Sequence, residues 1–219
     1  MYEANKLTGL FVSSGPTLQV KESNGDIRPW GDSRATQVWK KPMAVMVDRY
    51  SASASEIFAG AIQDYQRGLI IGNKTFGKGT VQQLDDLTNG QLKLTESKFY
   101  RVTGSGMQNR GVEPDITLPS TWDIDESGES SLDSALPWDQ IRPTPFRKFK
   151  INKSALDRLK VAHEKRMLES PDLQYILNIR ERYDEQQEKT SISINLDTRR
   201  TEKIDRQLWA LATENQRRA

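Results

Sequence analysis

Pro42-Met43-Ala44-Val45-Met46-Val47 is followed by Glu56-Ile57-Phe58-Ala59-Gly60-Ala61-Ile62-Gln63-Asp64-Tyr65 and then by Gly68-Leu69-Ile70-Ile71-Gly72, and on this stretch the fold turns. The first run is almost wholly apolar, as in a strand buried on both faces. In the second, Ile57, Ala61, Ile62 and Tyr65 recur at helical spacing and share one face. The third is another short buried strand. Strand, turn, helix and strand make a βαβ unit, so the class is α/β with some parallel pairing.

Working outward, Thr17-Leu18-Gln19-Val20 and Asp26-Ile27-Arg28 flank Asn24-Gly25, a hairpin signal. A second hairpin is expected around Thr88-Asn89-Gly90, pairing the preceding stretch with Gln91-Leu92-Lys93-Leu94-Thr95. No repeat at solenoid spacing is present.

Charge divides the chain into three blocks. Residues 1–118 hold 14 Lys and Arg against 12 Asp and Glu, and residues 119–146 hold 1 against 6. Residues 147–219 hold 17 against 12. The acidic middle, with Asp123-Ile124-Asp125-Glu126-Ser127-Gly128-Glu129, reads as an exposed linker whose island Ala135-Leu136-Pro137-Trp138 could dock onto a neighbour. The last block is expected to be mainly helical. Ser170-Pro171 is an N-cap with proline at the first helical position. Leu156, Leu159, His163 and Met167 form one narrow stripe, and Ile204, Leu208 and Leu211 mark a final amphipathic helix. Ile192, Ile194 and Leu196 alternate, predicting a short strand.

Composition closes several routes to function. The net charge of +2 offers no general case for nucleic-acid binding. No apolar run approaches the roughly 18 residues of a membrane span. There are no cysteines, which removes thiolate nucleophiles, disulfides and Cys-based zinc sites. One histidine, His163, is too few for a His-rich metal site, and no cofactor is expected. Met1-Tyr2-Glu3-Ala4 has neither the basic start nor the apolar core of a signal peptide.

The chemistry is concentrated between Ser51 and Gln82. Ser53 stands where the buried strand hands over to the helix, the place where α/β folds set reactive groups. Backbone N–H groups and the dipole at a helix N-terminus stabilise an oxyanion. Ser53-x-x-Glu56 is equally a plain capping box. Downstream, Thr75-Phe76-Gly77-Lys78-Gly79-Thr80-Val81-Gln82 sets a lysine between two glycines. This segment could be a simple turn. The phosphate-loop spacing fails, because Gly79 stands where Ser or Thr belongs. As a third reading, Lys78 is a general base for Ser53, since a serine hydroxyl needs a partner to take its proton. A lysine can do this when desolvation lowers its pKa from about 10.4 toward 7–8, and the neighbours Phe76 and Val81 suit that. His163, in a charged helix beyond the linker, reads as a helix-face residue.

Three motifs in order, Tyr50-Ser51-Ala52-Ser53-Ala54-Ser55-Glu56, Thr75-Phe76-Gly77-Lys78-Gly79-Thr80-Val81-Gln82-Gln83 and Gly111-Val112-Glu113-Pro114-Asp115-Ile116, closely resemble the carboxyl-terminal processing proteases, peptidase family S41. Leu7-Thr8-Gly9-Leu10-Phe11 and Ala135-Leu136-Pro137-Trp138-Asp139 share the resemblance, which extends over nearly the whole chain. It implies a crotonase/ClpP-like α/β core, here partial and followed by a mainly helical C-terminal region. It also implies a serine endopeptidase with Ser53 as nucleophile, Lys78 as general base, Gln82 orienting the lysine and the Ala54 N–H as one oxyanion donor. Ser51 and Ser55 would be structural. Asp48 stands where the family has asparagine and is expected to point away from the lysine. The resemblance further implies a periplasmic protease acting on proteins with apolar C-termini. Against that family, the chain reads as a C-terminal fragment without the PDZ domain, the second oxyanion donor or the leader, and thus as weakly active or inactive alone. The exposed edge of the Pro42-to-Val47 strand would favour self-association. The rival reading is a non-catalytic docking module that binds another subunit or an adaptor through its helical tail.

Overall fold

The computed structural model describes residues 1–32, 36–123, 126–150 and 153–218. Ile124 and Asp125 of the acidic run lie outside the described residues. The chain forms two compact units: Met1–Thr117 together with Asp123–Asn152, and Leu118–Trp122 together with Lys153–Ala219.

The first unit opens with helix α1 (Tyr2–Gly9), then a hairpin of β1 (Leu18–Glu22) and β2 (Ile27–Trp30), turned at Gly25 with φ +91°. The βαβ unit follows as β3 (Ala44–Val47), α2 (Ala54–Asp64) and β4 (Leu69–Gly72), with β3 and β4 parallel in the register Ala44 to Leu69. Strands β5 (Thr80–Leu87) and β6 (Gly90–Tyr100) form the second expected hairpin, and β7 (Ile116–Thr117) adds in parallel to β4. The result is a four-stranded sheet in the order β2-β1-β6-β5 and a three-stranded sheet in the order β3-β4-β7. Val47, Ala59, Ile62, Tyr65, Ile70 and Val112 bury together, which fastens α2 to the parallel sheet.

One strand differs from its sequence pattern. The expected burial of β3 on both faces fails, since Ala44 and Met46 are exposed, Met46 by 77%. Side chains alternate along a strand, and only the face bearing Val45 and Val47 meets the core.

The acidic segment, expected as an exposed linker, runs along the first unit. The Trp138 indole N–H donates to the Gly106 carbonyl at 3.0 Å, and Lys98 pairs with Asp139 at 2.7 Å. The Ile141 N–H donates to Gly104 and the Thr144 N–H to Val102. The Arg110 guanidinium lies 3.5 Å above the Trp138 ring, so the apolar island is docked.

The second unit contains α3 (Lys153–Glu169), α4 (Pro171–Gln187) and α5 (Leu196–Arg218). Ser170 caps α4 with Pro171 in its first turn, as expected. The strand expected at Ile192-Ile194-Leu196 does not form. Asn195 Oδ1 accepts the N–H groups of Asp197 and Thr198 at 3.0 and 3.1 Å, an N-cap that draws Leu196 into α5. Alternation makes a strand only where a neighbouring strand takes its backbone groups, and the described elements of this unit are helices. Within the unit Arg217 on α5 pairs with Asp172 on α4 at 2.8 Å.

Candidate active site

The turn between β3 and α2 is built by its own polar groups. Asp48 Oδ1 accepts the N–H groups of Tyr50 and Ser51 at 3.0 and 2.9 Å and the Ser51 hydroxyl at 3.1 Å. Asp48 is exposed and occupied with this loop. The Ser55 hydroxyl donates to the Ala52 carbonyl at 2.8 Å, a local turn contact.

Ser53 then adopts φ +54° and ψ −109° as the N-cap of α2. A residue with a Cβ in this region costs about 1–3 kcal/mol and persists only where its surroundings over-determine it. A similarly sharp strand-to-helix turn presents the nucleophilic serine of α/β-hydrolases. Ala54, the first residue of α2, is exposed. N–H groups of a first helical turn have no intrahelical acceptor, which leaves them to an incoming anion.

What holds Ser53 in this conformation is Glu56, fully buried at 0% exposure. Its Oε2 accepts the Ser53 N–H at 2.8 Å and the Lys78 N–H at 2.9 Å. Its Oε1 accepts the Gly77 N–H at 2.7 Å and the Thr75 hydroxyl at 2.5 Å. One carboxylate thus ties the backbone of the serine turn to that of the lysine loop. Burial pushes the Glu56 pKa up from 4.5, against the opposing pull of its four donors. A further tie is the Phe76 N–H, which donates to the Ser51 carbonyl at 3.0 Å.

The glycines flanking Lys78 are required by close packing. Gly77 has φ +92°, and a Cβ at Gly79 would sit 2.5 Å from the Gln108 nitrogen. Lys78 is half-buried, and its Nζ donates to Gln82 Oε1 at 3.4 Å, a long contact. A register shift between Val81 and Gln82 interrupts the pairing of β5 with β6 at this point.

Of the residues singled out from sequence, Lys78 and Gln82 are in side-chain contact. Ser53 and Lys78 are joined through the Glu56 carboxylate, with no direct hydrogen bond between their side chains among the described residues. His163 lies in the second unit on α3, with Arg166 at 3.3 Å from its Nδ1. Sequence reasoning gave Glu56 only a capping role and passed over Thr75 and Gln108. The signal for Glu56 was a carboxylate in the first turn of a helix, directly ahead of the apolar run Ile57–Ile62.

Residues 1–118 match peptidase family S41, and residues 122–219 match the C-terminal domain of tail specific protease (DUF3340). A tail-specific protease of Haemophilus influenzae is 41% identical over 212 residues, covering 91% of this chain and 30% of that protein. A carboxy-terminal-processing protease of Bartonella bacilliformis is 36% identical over 118 residues, 53% of this chain and 27% of that protein. The solved photosystem II D1 C-terminal processing protease is 35% identical over 52% of this chain and 30% of its own, with a TM-score of 0.48. The chain therefore spans about a third of the length of the curated relatives it matches. The segment that carries the strained serine turn, the lysine loop and Gln82 is the one that matches as a unit, and by it the chain belongs to peptidase family S41.

Proposed function

We propose that this chain supplies the Ser–Lys machinery of a serine endopeptidase. The observation that carries the reading is the left-handed Ser53 at the start of α2, tied through Glu56 to the backbone of Lys78. In the reaction Lys78 Nζ, in its neutral form, takes the proton of the Ser53 hydroxyl as Oγ bonds to the scissile carbonyl carbon. The carbonyl oxygen becomes an oxyanion, and the Ala54 N–H at the helix N-terminus donates to it. Collapse breaks the C–N bond, and the amine leaves with the proton held by Lys78. Water then hydrolyses the acyl-serine, with Lys78 again taking and returning a proton. Gln82, within reach of Nζ, orients the lysine. Apo geometry without a Ser53–Lys78 hydrogen bond is compatible with this, because such contacts tighten when substrate is bound.

The substrates are proteins with apolar C-termini, and the proposed compartment is the periplasm. Because the chain spans 30% of the Haemophilus influenzae relative, this activity is proposed for the longer protease. The half-bare strand β3 favours self-association. The test compares cleavage of an unfolded, apolar-tailed substrate by the longer protease and by its Ser53→Ala variant. Retained cleavage in that variant overturns the reading.

A second reading concerns the helical unit. Ile204, Leu208 and Leu211 on α5 are each more than half exposed. Their exposure favours docking of an adaptor or another subunit, whether or not the first unit is catalytic. Binding that survives Ser53→Ala and is lost on substituting these three residues with glutamine would support it.

A further inference from the structure

The lysine loop is held from a second side by a segment that neither the motifs nor the proposed mechanism uses. Residues 127–131 cross the first unit and include a 3-10 turn, Glu129–Ser131. The Glu129 N–H donates to the Phe76 carbonyl at 2.9 Å. The Glu129 carboxylate accepts from Gln108 Nε2 at 3.0 Å, while Gln108 Oε1 accepts the Gly79 N–H at 2.9 Å. Gln108 is 1% exposed, so its amide is a buried relay from Glu129 to the residue after Lys78. On the serine side, Arg49 is also 1% exposed. Its Nη1 donates to the Thr75 carbonyl at 2.6 Å, and its Nε to the Ser127 carbonyl at 2.9 Å. Gly128 has φ +102°, and a Cβ there would collide with the Arg49 guanidinium.

These contacts converge on Thr75, Phe76 and Gly79, the residues that flank Lys78 in the chain. From this convergence we infer that residues 127–129 are a clasp for the active site, with Arg49, Gln108 and Glu129 as positioning residues for the lysine loop. The inference rests on the reading of Lys78 as the base. It moves a functional boundary. The peptidase match ends at residue 118, yet the clasp lies in the segment matched to the C-terminal domain. A buried carboxylate fixes the loop from the α2 side, and the clasp closes it from the other. A loop held on one side alone keeps its backbone near the serine while leaving the lysine free to swing, and misplacement of about 1 Å costs an enzyme about 10²-fold.

The test uses the full chain and does not depend on turnover. Amide exchange at Lys78 and Gly79, and the Lys78 side-chain carbon shifts, are followed by NMR in wild type, Glu129→Ala, Glu129→Gln and Gly128→Ala. Asp133→Ala, an exposed acid of the same segment, is the control. In Glu129→Ala, Gly79 exchange is expected to accelerate about tenfold or more, with the Lys78 side-chain resonances moving toward those of a free lysine. Glu129→Gln, whose amide oxygen still accepts from Gln108, should stay within about twofold of wild type. Gly128→Ala should reproduce the alanine result. Should Gly128→Ala not fold, Glu129→Ala against Glu129→Gln decides alone, since Glu129 is only half-buried. Unchanged Gly79 exchange and Lys78 resonances in Glu129→Ala would overturn the clasp, as would a glutamine variant no better than the alanine. The Ser–Lys reading fails on a different result, cleavage retained by Ser53→Ala in the longer protease.

Discussion

The serine turn of the first unit and the helices of the second solve opposite problems. Around Ser53 the buried groups are polar, and their partners lie far away in sequence. Glu56 takes donors from residues 75, 77 and 78, and Arg49 reaches residues 75 and 127. In the second unit the apolar residues are largely exposed, and apart from Arg217–Asp172 the ion pairs named here are local. Arg180–Asp184, Arg199–Glu202 and Arg218–Glu214 are three or four residues apart at 2.6–2.7 Å. Exposed pairs of this kind contribute little each, because solvent screens them and two long side chains must be ordered. A substitution near Ser53 should thus damage several segments together, whereas one in the helices should stay local.

The largest expected effect is at the serine turn. In the longer protease, Ser53→Ala and Lys78→Ala should each lower cleavage by about 10⁴-fold or more with the fold intact. The double variant should be little worse than either, because the two act as a unit. Steady-state rates and a far-ultraviolet spectrum check this, and near-normal turnover by Lys78→Ala would remove the lysine from the mechanism.

Glu56→Gln comes next, on stability. A glutamine offers one acceptor oxygen, leaving N–H groups of the serine turn or the lysine loop unsatisfied at about 1–3 kcal/mol each. Denaturant unfolding of the chain should show this loss at neutral pH. The pH dependence sharpens it. The folded pKa of Glu56 is raised, so the folded state binds more protons than the unfolded state between 4.5 and the folded value. Its contribution to stability is therefore fully present below 4.5 and falls as pH rises through the folded value. That slope should be absent in Glu56→Gln, and an unchanged slope would mean that Glu56 is not the group responsible.

Gln82→Ala should cost about 10²-fold in cleavage, similar to the loss of one electrostatic support. The long 3.4 Å contact to Lys78 leaves that support partial. No effect at all would reduce Gln82 to a residue of its strand. Smallest is His163→Ala, expected to leave cleavage within a few-fold of wild type, since it lies on α3 of the second unit, apart from the unit that carries Ser53 and Lys78. A folded but inactive His163→Ala would erase the contrast between the two regions and revive a serine–histidine mechanism.

Local pattern was enough for the βαβ unit, both hairpins and the Ser170 cap. Each depends on neighbours in the chain: turn residues, helical periodicity, a proline after a cap. Where a partner from elsewhere decides the outcome, the pattern misled. Ile192 and Ile194 alternate like a strand, but Asn195 caps the next helix and no strand of the described unit receives them. The acidic run reads as an exposed linker apart from its apolar island, yet beyond that island Asp139, Ile141 and Thr144 also bond to residues 98–104.

The amino-acid sequence by itself determined the α/β class, a serine at a strand-to-helix turn and the lysine between glycines, because short-range sterics and periodicity encode these. Only the tertiary structure decided that Glu56 is a buried hub rather than a simple cap, and that the segment after the peptidase region closes over the lysine loop. Those roles follow from where desolvated donors and acceptors meet. Burial makes every unsatisfied polar group costly, so the folded chain brings residues 49, 56, 75, 78, 108 and 129 into one network whose pairing no single stretch of sequence contains.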